Sequence, residues 1–312
     1  MTTQTPSAPV RVAVHGEPLP FLTRAIEAGG GAVVGLDGDP EVLVLDHGNP
    51  KHELKAVLDA TPSVRWVQLP SAGIEAYADA LTAHPEKVWT SAKGAYAKPV
   101  AEHALALTLA LLRELPARIR ARSWAPATGT SLHGLRAVVI GAGGVGLEIL
   151  RLFRAFDVEV DVVRRTAAPV PGARSTTTAD RLADLLPEAD VVVVAAALTS
   201  GTSKLIGADE LAGMKPTAIL VNIARGGLVD TDAVVEALRA GTIAGAALDV
   251  TDPEPLPDGH PLWDEPHAII TPHAADTIEM IRPLLGERVA ENVRRFAEGR
   301  ELEGLVDAAA GY

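Results

Sequence analysis

The stretch RAVVIGAGGVGLEILRLF, residues 136–153, decides the fold. A short apolar run leads directly into Gly141-Ala142-Gly143-Gly144-Val145-Gly146, and this turn directly opens LEILRLF, whose apolar residues recur at helical spacing. Strand, glycine turn and helix in that order make G-x-G-x-x-G informative, where the six residues alone would be bland. The glycines permit a tight turn and let the backbone approach a pyrophosphate, which rests on the free N–H groups and positive dipole end of the helix. The stretch therefore predicts a dinucleotide-binding unit, with Gly141, Gly143, Gly144, Val145 and Gly146 around the phosphates.

On either side the same alternation of strand and helix continues. Downstream come DVEVDVV, ADVVVVAAAL, AILVNIA, AGAALDV and HAIITPH, separated by the helix candidates GLEILRLFRAF, RLADLLPEA and DAVVEALRAG. Nearly continuous apolar strands imply a parallel sheet covered on both faces. Upstream, VRVAVHG, AVVGLD, EVLVLDHG and VRWVQLP alternate with LPFLTRAIEAGG and PKHELKAVLDA, a second βα series. Between the two series, VAEHALALTLALLREL reads as a long buried helix joining two lobes. The closing ENVRRFAEGRELEGLV reads as a helix and tail returning to the first lobe.

A chain of 312 residues fits two lobes better than one core. Its formal charge of -12 disfavours nucleic acid and anionic membrane as partners, since both require a basic face. Any anionic ligand must therefore meet local arginines. The chain has no cysteine, which excludes disulfides, thiolate metal sites and cysteine nucleophiles and fits a reducing, cytoplasmic setting. The N-terminal MTTQTPSAPV lacks the pattern of a signal peptide and reads as a loose tail, and no apolar run is long enough to span a bilayer.

Ligands of open α/β sheets lie beyond the carboxyl ends of the strands. Three consecutive strands there are followed by Arg225 in ARGG, Glu254 in TDPEP and His273 in TPH. Arginine presents a planar fork suited to a carboxylate, and histidine exchanges a proton near neutral pH, with a nearby carboxylate to fix its ring. Beside a nicotinamide, that set reduces a 2-oxo acid to a 2-hydroxy acid. Taken singly, each has a plainer reading: a solvated cation, a surface acid, a strand-end cap.

GAGGVG, MKPTAILVNIARGGLVDTDAVVEALRAGTIAGAALDVTDPEPLP and PLWDEPHAIITPHAADT together resemble the D-isomer-specific 2-hydroxyacid dehydrogenase family, over about residues 100–285. By that resemblance, Arg225 binds the 2-oxo-carboxylate, Glu254 pairs with the histidine, His273 is the acid/base, and Asp249 lies near the nicotinamide carboxamide. Ile223, Ala224 and Ala275 join Asp249 in the expected cofactor set. Ser71-Ala72-Gly73 resembles the loop whose backbone receives the substrate carboxylate.

The resemblance further implies a Rossmann-type, doubly wound coenzyme domain over 99–284, inserted into a smaller flavodoxin-like substrate domain made from 1–98 and 285–312. It implies a cleft between them and a homodimer built largely on the coenzyme domain. Two departures blur the substrate: Thr251 stands where an aromatic is usual, and TPHAAD lacks the glycine often found two residues after the histidine. At 312 residues, the extra C-terminal regulatory domain of some phosphoglycerate dehydrogenases is not expected, and the resemblance favours the glyoxylate/hydroxypyruvate reductase branch. Alternatives are a nicotinamide-dinucleotide-sensing, corepressor-like protein with little turnover, or S-adenosylmethionine in the same loop.

VDVVRRT, residues 160–166, bears on the cofactor. An acid about 20 residues beyond the glycines holds the adenosine ribose of NAD. Here Arg164 stands at that place, with Arg165 and Thr166 beside it. Two guanidinium groups suit a 2'-phosphate, so NADP(H) is expected over NAD(H). The remaining histidines carry no such constellation. His47 and His52 lack a third ligand for a metal, and none is expected; His103 reads as packed on its apolar helix; His15 ends the first strand. Lys93 and Lys98 read as solvated.

Overall fold

The computed structural model describes residues 8–16 and 18–307; the N-terminal stretch 1–7, read above as a tail, and residues 308–312 lie outside them. The chain forms two compact units. One comprises residues up to Tyr96 together with those from Ile278 onward, and the other is Ala97–Thr277.

The first unit holds β1 (Val10–His15), β2 (Gly31–Val33), β3 (Val42–Leu45), β4 (Trp66–Gln68) and β5 (Val88–Thr90), all parallel, in the order β2-β1-β3-β4-β5. This is the flavodoxin-like order. The C-terminal helix Ile278–Ala297 belongs to this unit and packs on the helix Pro20–Ala28. Because it is one continuous helix, the division falls at 277/278 and not within it at 284/285. A buried polar network fastens it to the sheet. Asn292, fully buried, donates to the Gln68 side chain at 3.0 Å and to the Glu303 carbonyl at 2.9 Å, and its own carbonyl accepts from the Glu303 N–H at 2.8 Å. Gln68 in turn accepts from Thr90 at 2.8 Å, and Thr90 accepts from the Trp66 indole at 2.7 Å. Every member has a partner, which is what makes such a network tolerable in a core.

The second unit holds β6 (Arg136–Ile140), β7 (Glu159–Val163), β8 (Ser175–Thr177), β9 (Val191–Val194), β10 (Ile219–Asn222), β11 (Gly245–Leu248) and β12 (Ala268–Ile270). All pair in parallel, in the order β12-β11-β10-β9-β6-β7-β8. From β6 the chain runs outward through β7 and β8, then crosses back to β9 on the other side of β6. That reversal is the switch point of a Rossmann-type sheet. β9 shows why the strands read as unbroken apolar runs: Val192 and Val194 enter the core on one face, Val191 and Val193 the core on the other, and all four are fully buried. Each such side chain contributes about 1.5–3 kcal/mol of burial. Two strands escape the sequence pattern, β5 and β8, each a three-residue edge strand.

The long helix has the sixteen-residue length its sequence suggests but lies three residues nearer the N-terminus. It spans Ala97–Leu112 and stops where Glu114 takes a left-handed φ of 52°, before the short helix Leu115–Arg120. It packs on the helix Gly144–Arg154 and on β10 and β11. No described helix is long and apolar enough to cross a membrane.

Candidate active site

Each glycine of the loop after β6 has its own structural reason. Gly141 has φ 110°, a region that L side chains rarely adopt, and a Cβ there would overlap the Ala195 carbonyl at the end of β9. At Gly146 a Cβ would overlap the Gly141 carbonyl, so only glycine lets the helix start this close to the strand. Gly143 is the opposite case: nothing lies within 4 Å of a Cβ built there. Gly143 is also the N-cap of the helix Gly144–Arg154, whose first intrahelical bond runs from the Leu147 N–H to its carbonyl at 3.0 Å. The N–H groups of the first turn, Gly144, Val145 and Gly146, have no intrahelical acceptor. An open cradle with unsatisfied donors and a positive dipole end fits a pyrophosphate.

Arg164 directly follows β7. Its backbone N–H bonds the Thr177 carbonyl at 2.9 Å, and its half-buried side chain makes no hydrogen bond or ion pair among the described residues. Arg165 and Thr166 beside it are exposed. Asp161, the one acid of VDVVRRT, is no substitute for an acid at the strand end. It is buried within β7, where Arg174 Nη2 donates to it at 2.5 Å and the Ser175 hydroxyl also donates.

The strand ends of β10, β11 and β12 are cross-braced. After β10, the buried Asn222 accepts from the Ala224 N–H at 3.1 Å and donates to the Arg225 carbonyl at 3.0 Å, clamping the turn that carries Ile223, Ala224 and Arg225. Arg225 Nη1 donates to the Ala224 carbonyl at 2.8 Å. The next residue, Gly226, lies so near the loop after β11 that a Cβ would overlap the Thr251 carbonyl. That loop passes through Thr251 to Glu254, with cis peptides at Asp252–Pro253 and Glu254–Pro255.

After β12, His273 has φ 52° and its N–H bonds the Asp249 carbonyl at 2.8 Å. Its Nδ1 lies 2.7 Å from Glu254 Oε1. With the carboxylate accepting at Nδ1, Nε2 is left for another partner. Both side chains are close to half exposed, 49% and 42%. Asp249, by contrast, is 2% exposed, and its carboxylate faces the histidine loop: it accepts from the Thr271 hydroxyl at 2.6 Å, the Ala274 N–H at 2.8 Å and the Ala275 N–H at 3.1 Å. Burial alone pushes this carboxyl up; the donors, His103 and Thr271 first, then Ala274 and Ala275, outweigh it and hold the group below its ordinary value of 3.8. Glu254 and His273 are thus brought into contact, and Asp249 and Ala275 are bonded to each other. Arg225 is tied to the same edge through its neighbour Gly226.

Ser71, Ala72 and Gly73 follow β4 in the first unit. Ser71 Oγ donates to the Gly73 carbonyl at 2.7 Å, and the Tyr96 hydroxyl donates to the Pro70 carbonyl at 2.5 Å. The N–H groups of Ala72 and Gly73 have no hydrogen-bond acceptor among the described residues. Lys93, read as solvated, is half-buried, and burial pulls its ammonium below its ordinary value. No group of three or more His, Asp or Glu side chains among the described residues is placed to hold a metal. The braces Gly226 and Thr271 carry no short-range signal of their role, since each acts on a neighbouring strand's loop, whereas Asn222 acts within its own turn.

The chain is similar to known proteins over most of its length. The chain is 39% identical over 296 residues to an uncharacterized protein from the proB 3' region of Corynebacterium melassecola, covering 93% of this chain and 96% of that one. It is 34% identical over 266 residues to a glyoxylate reductase of Thermofilum pendens, covering 80% and 77%. A D-isomer specific 2-hydroxyacid dehydrogenase of Xanthobacter autotrophicus, solved with NADPH, superposes with a TM-score of 0.83 at 26% identity, over 98% of this chain and 100% of that one. The family profile described as D-isomer specific 2-hydroxyacid dehydrogenase, NAD binding domain, matches residues 104–275, more than half of the chain. With its glycine loop and its arginine, glutamate and histidine on the edge of one parallel sheet, the chain belongs to the D-isomer specific 2-hydroxyacid dehydrogenase family.

Proposed function

We propose that this dehydrogenase interconverts small 2-oxo acids and D-2-hydroxy acids, in the manner of a glyoxylate/hydroxypyruvate reductase, with NADP(H) preferred over NAD(H). The observation that carries the reading is the Glu254 carboxylate 2.7 Å from His273 Nδ1, which orients the ring and leaves Nε2 to deliver a proton. The dinucleotide would be held by the first-turn N–H groups of Gly144, Val145 and Gly146, by Arg164, Arg165 and Thr166, and by the strand-end residues Ile223, Ala224, Asp249 and Ala275. When bound, its nicotinamide supplies the hydride. His273 gives the substrate oxygen its proton in reduction and recovers one in oxidation. Arg225 grips the 2-oxo-carboxylate with its planar fork, and Ser71-Ala72-Gly73 offers open backbone N–H groups to the same kind of anion. Ala97–Thr277 is the dinucleotide-binding domain on this reading, and the first unit the substrate domain.

The cofactor preference rests on the Arg164 guanidinium at the end of β7, which has no partner among the described residues, where an acid would repel a 2'-phosphate. Initial rates with NADPH and with NADH against glyoxylate, hydroxypyruvate, pyruvate and bulkier 2-oxo acids test both parts. A higher kcat/KM with NADPH and with the smaller acids supports the reading. Equal or better rates with NADH overturn the preference, and tight NADPH binding with no turnover leaves a dinucleotide sensor.

The functional unit on this reading is a homodimer. Trp124 is fully exposed, with Ile119 and Leu115 also open, on a segment that Arg118 holds closed by donating to the Thr128 carbonyl at 2.7 Å and hydroxyl at 2.8 Å. Exposed apolar side chains on one such segment fit an interface with a second copy. Light scattering should give twice the chain mass, and Trp124→Ala should shift it toward the monomer.

A further inference from the structure

We propose that His103 is a positioning residue, whose imidazole N–H holds the Thr271–Asp249 pair and through it the loop that presents His273. The inference rests on the reading of His273 as proton donor for its consequence in activity, but not for its geometry. His103 sits on the helix Ala97–Leu112, far from the loop in sequence, yet its Nε2 lies 3.2 Å from Thr271 Oγ1 and 3.4 Å from Asp249 Oδ1. Among the described residues this is the helix's one side-chain hydrogen bond to another element. The pattern of donors fixes the tautomer. The Thr271 hydroxyl has a single hydrogen and spends it on Asp249 Oδ1 at 2.6 Å, so its oxygen can only accept from His103. The carboxylate oxygen is also an acceptor. Nε2 therefore carries a hydrogen whether or not the ring is charged.

The consequence runs through Asp249. This carboxylate is almost fully buried, and a buried charge is stable only where its oxygens are all engaged. Its other donors are the N–H groups of Ala274 and Ala275, the two residues after His273, and its own carbonyl accepts from the His273 N–H. His273 meanwhile holds a left-handed φ of 52°, a conformation that needs its surroundings to impose it. Removing the imidazole leaves Thr271 without its donor and thins the shell of Asp249. The loop should then open more often, and the His273 ring should spend less time in register with its partners.

The test compares His103→Leu, His103→Gln and Thr271→Val in the full-length protein with two independent readouts. The first is hydrogen exchange of the Ala274 and Ala275 amides, which requires no turnover. The second is the split between kcat for 2-oxo acid reduction and KM for NADPH. His103→Leu should speed exchange and lower kcat by roughly tenfold each, the scale of one hydrogen bond to a charged group, with a smaller rise in KM for NADPH, since most of the residues assigned to the dinucleotide are untouched. His103→Gln, which keeps an N–H of similar reach, should restore most of both. His103→Leu added to Thr271→Val should cost little more than Thr271→Val alone. Wild-type exchange and kcat in His103→Leu, or a Gln variant as impaired as the Leu variant, would overturn the proposal. If His103→Leu fails to fold, the Gln and Val variants carry the same comparison. A wild type that turns over no 2-oxo acid would defeat the reading of His273 as proton donor, and the exchange arm would still decide the role of His103.

Discussion

The loops after β10, β11 and β12 and the loop after β6 share one edge of one sheet, yet they are built in opposite ways. The first three are braced by side chains: Asn222 clamps the Arg225 turn, Gly226 abuts the Thr251 backbone, and Asp249 holds Thr271, Ala274 and Ala275. The fourth leaves open space at Gly143, and beside it, after β7, the Arg164 guanidinium makes no hydrogen bond or ion pair among the described residues. The contrast matches what each would do. A proton donor must be held to a fraction of an ångström, which calls for a supporting shell. A phosphate needs room, backbone donors and charge.

The sharpest way to break this contrast is to add one methyl group on each side. Gly226→Ala must displace the Thr251 backbone and should destabilise the protein by roughly 3 kcal/mol or more, read from denaturant unfolding. Gly143→Ala should leave stability nearly unchanged and weaken NADPH binding instead. Equal effects on stability would mean the two loops are not differently built.

On the braced side, His273→Ala should lower turnover by roughly 100-fold or more while NADPH still binds with wild-type affinity. Loss of turnover and cofactor binding together would point to a collapsed loop and not to a missing proton donor.

Asp249 gives the braced side a dependence on pH. Its folded-state pKa is held below the unfolded value, so its stabilisation is present above that value and is lost as pH falls through the folded one. Asp249→Asn should lower the thermal midpoint at neutral pH by several degrees, about what one buried hydrogen bond to a charge contributes. The gap to wild type should narrow below about pH 4, where the wild-type carboxylate is itself lost. Parallel acid limbs would remove Asp249 from the account.

The smallest effect belongs to the open side. Arg164→Ala should raise KM for NADPH by about tenfold, with little change for NADH, and the added Arg165→Ala should raise it further. Because these guanidinium groups are partly or fully exposed, the preference should fade with added salt. Indifference of the NADPH KM to both substitutions would return the arginines to ordinary surface charge.

What was legible in the sequence follows the same division. The glycine loop and the three strand ends carry short-range signals, because backbone turns and strand termini constrain residues next to one another in the chain. β5 and β8 left no such signal: each is only three residues long at a sheet edge, and Ser175–Thr177 has no apolar residue to mark it. The division at 277/278 was displaced because the helix Ile278–Ala297 runs through Pro283 without ending. The braces were invisible for a different reason. Gly226 and His103 act on residues that only the folded sheet brings near, and His103 on its apolar helix reads as a packed side chain; Asn222 acts within its own turn.

On the proposed reading this edge reduces a 2-oxo acid at the expense of a reduced nicotinamide, with His273 giving the proton. Its most direct test is the stoichiometry and handedness of the product when hydroxypyruvate and NADPH are mixed with the wild-type protein. One D-glycerate should form for each NADPH consumed. NADPH that binds but is not consumed with any 2-oxo acid, or a product of the L configuration, would contradict it.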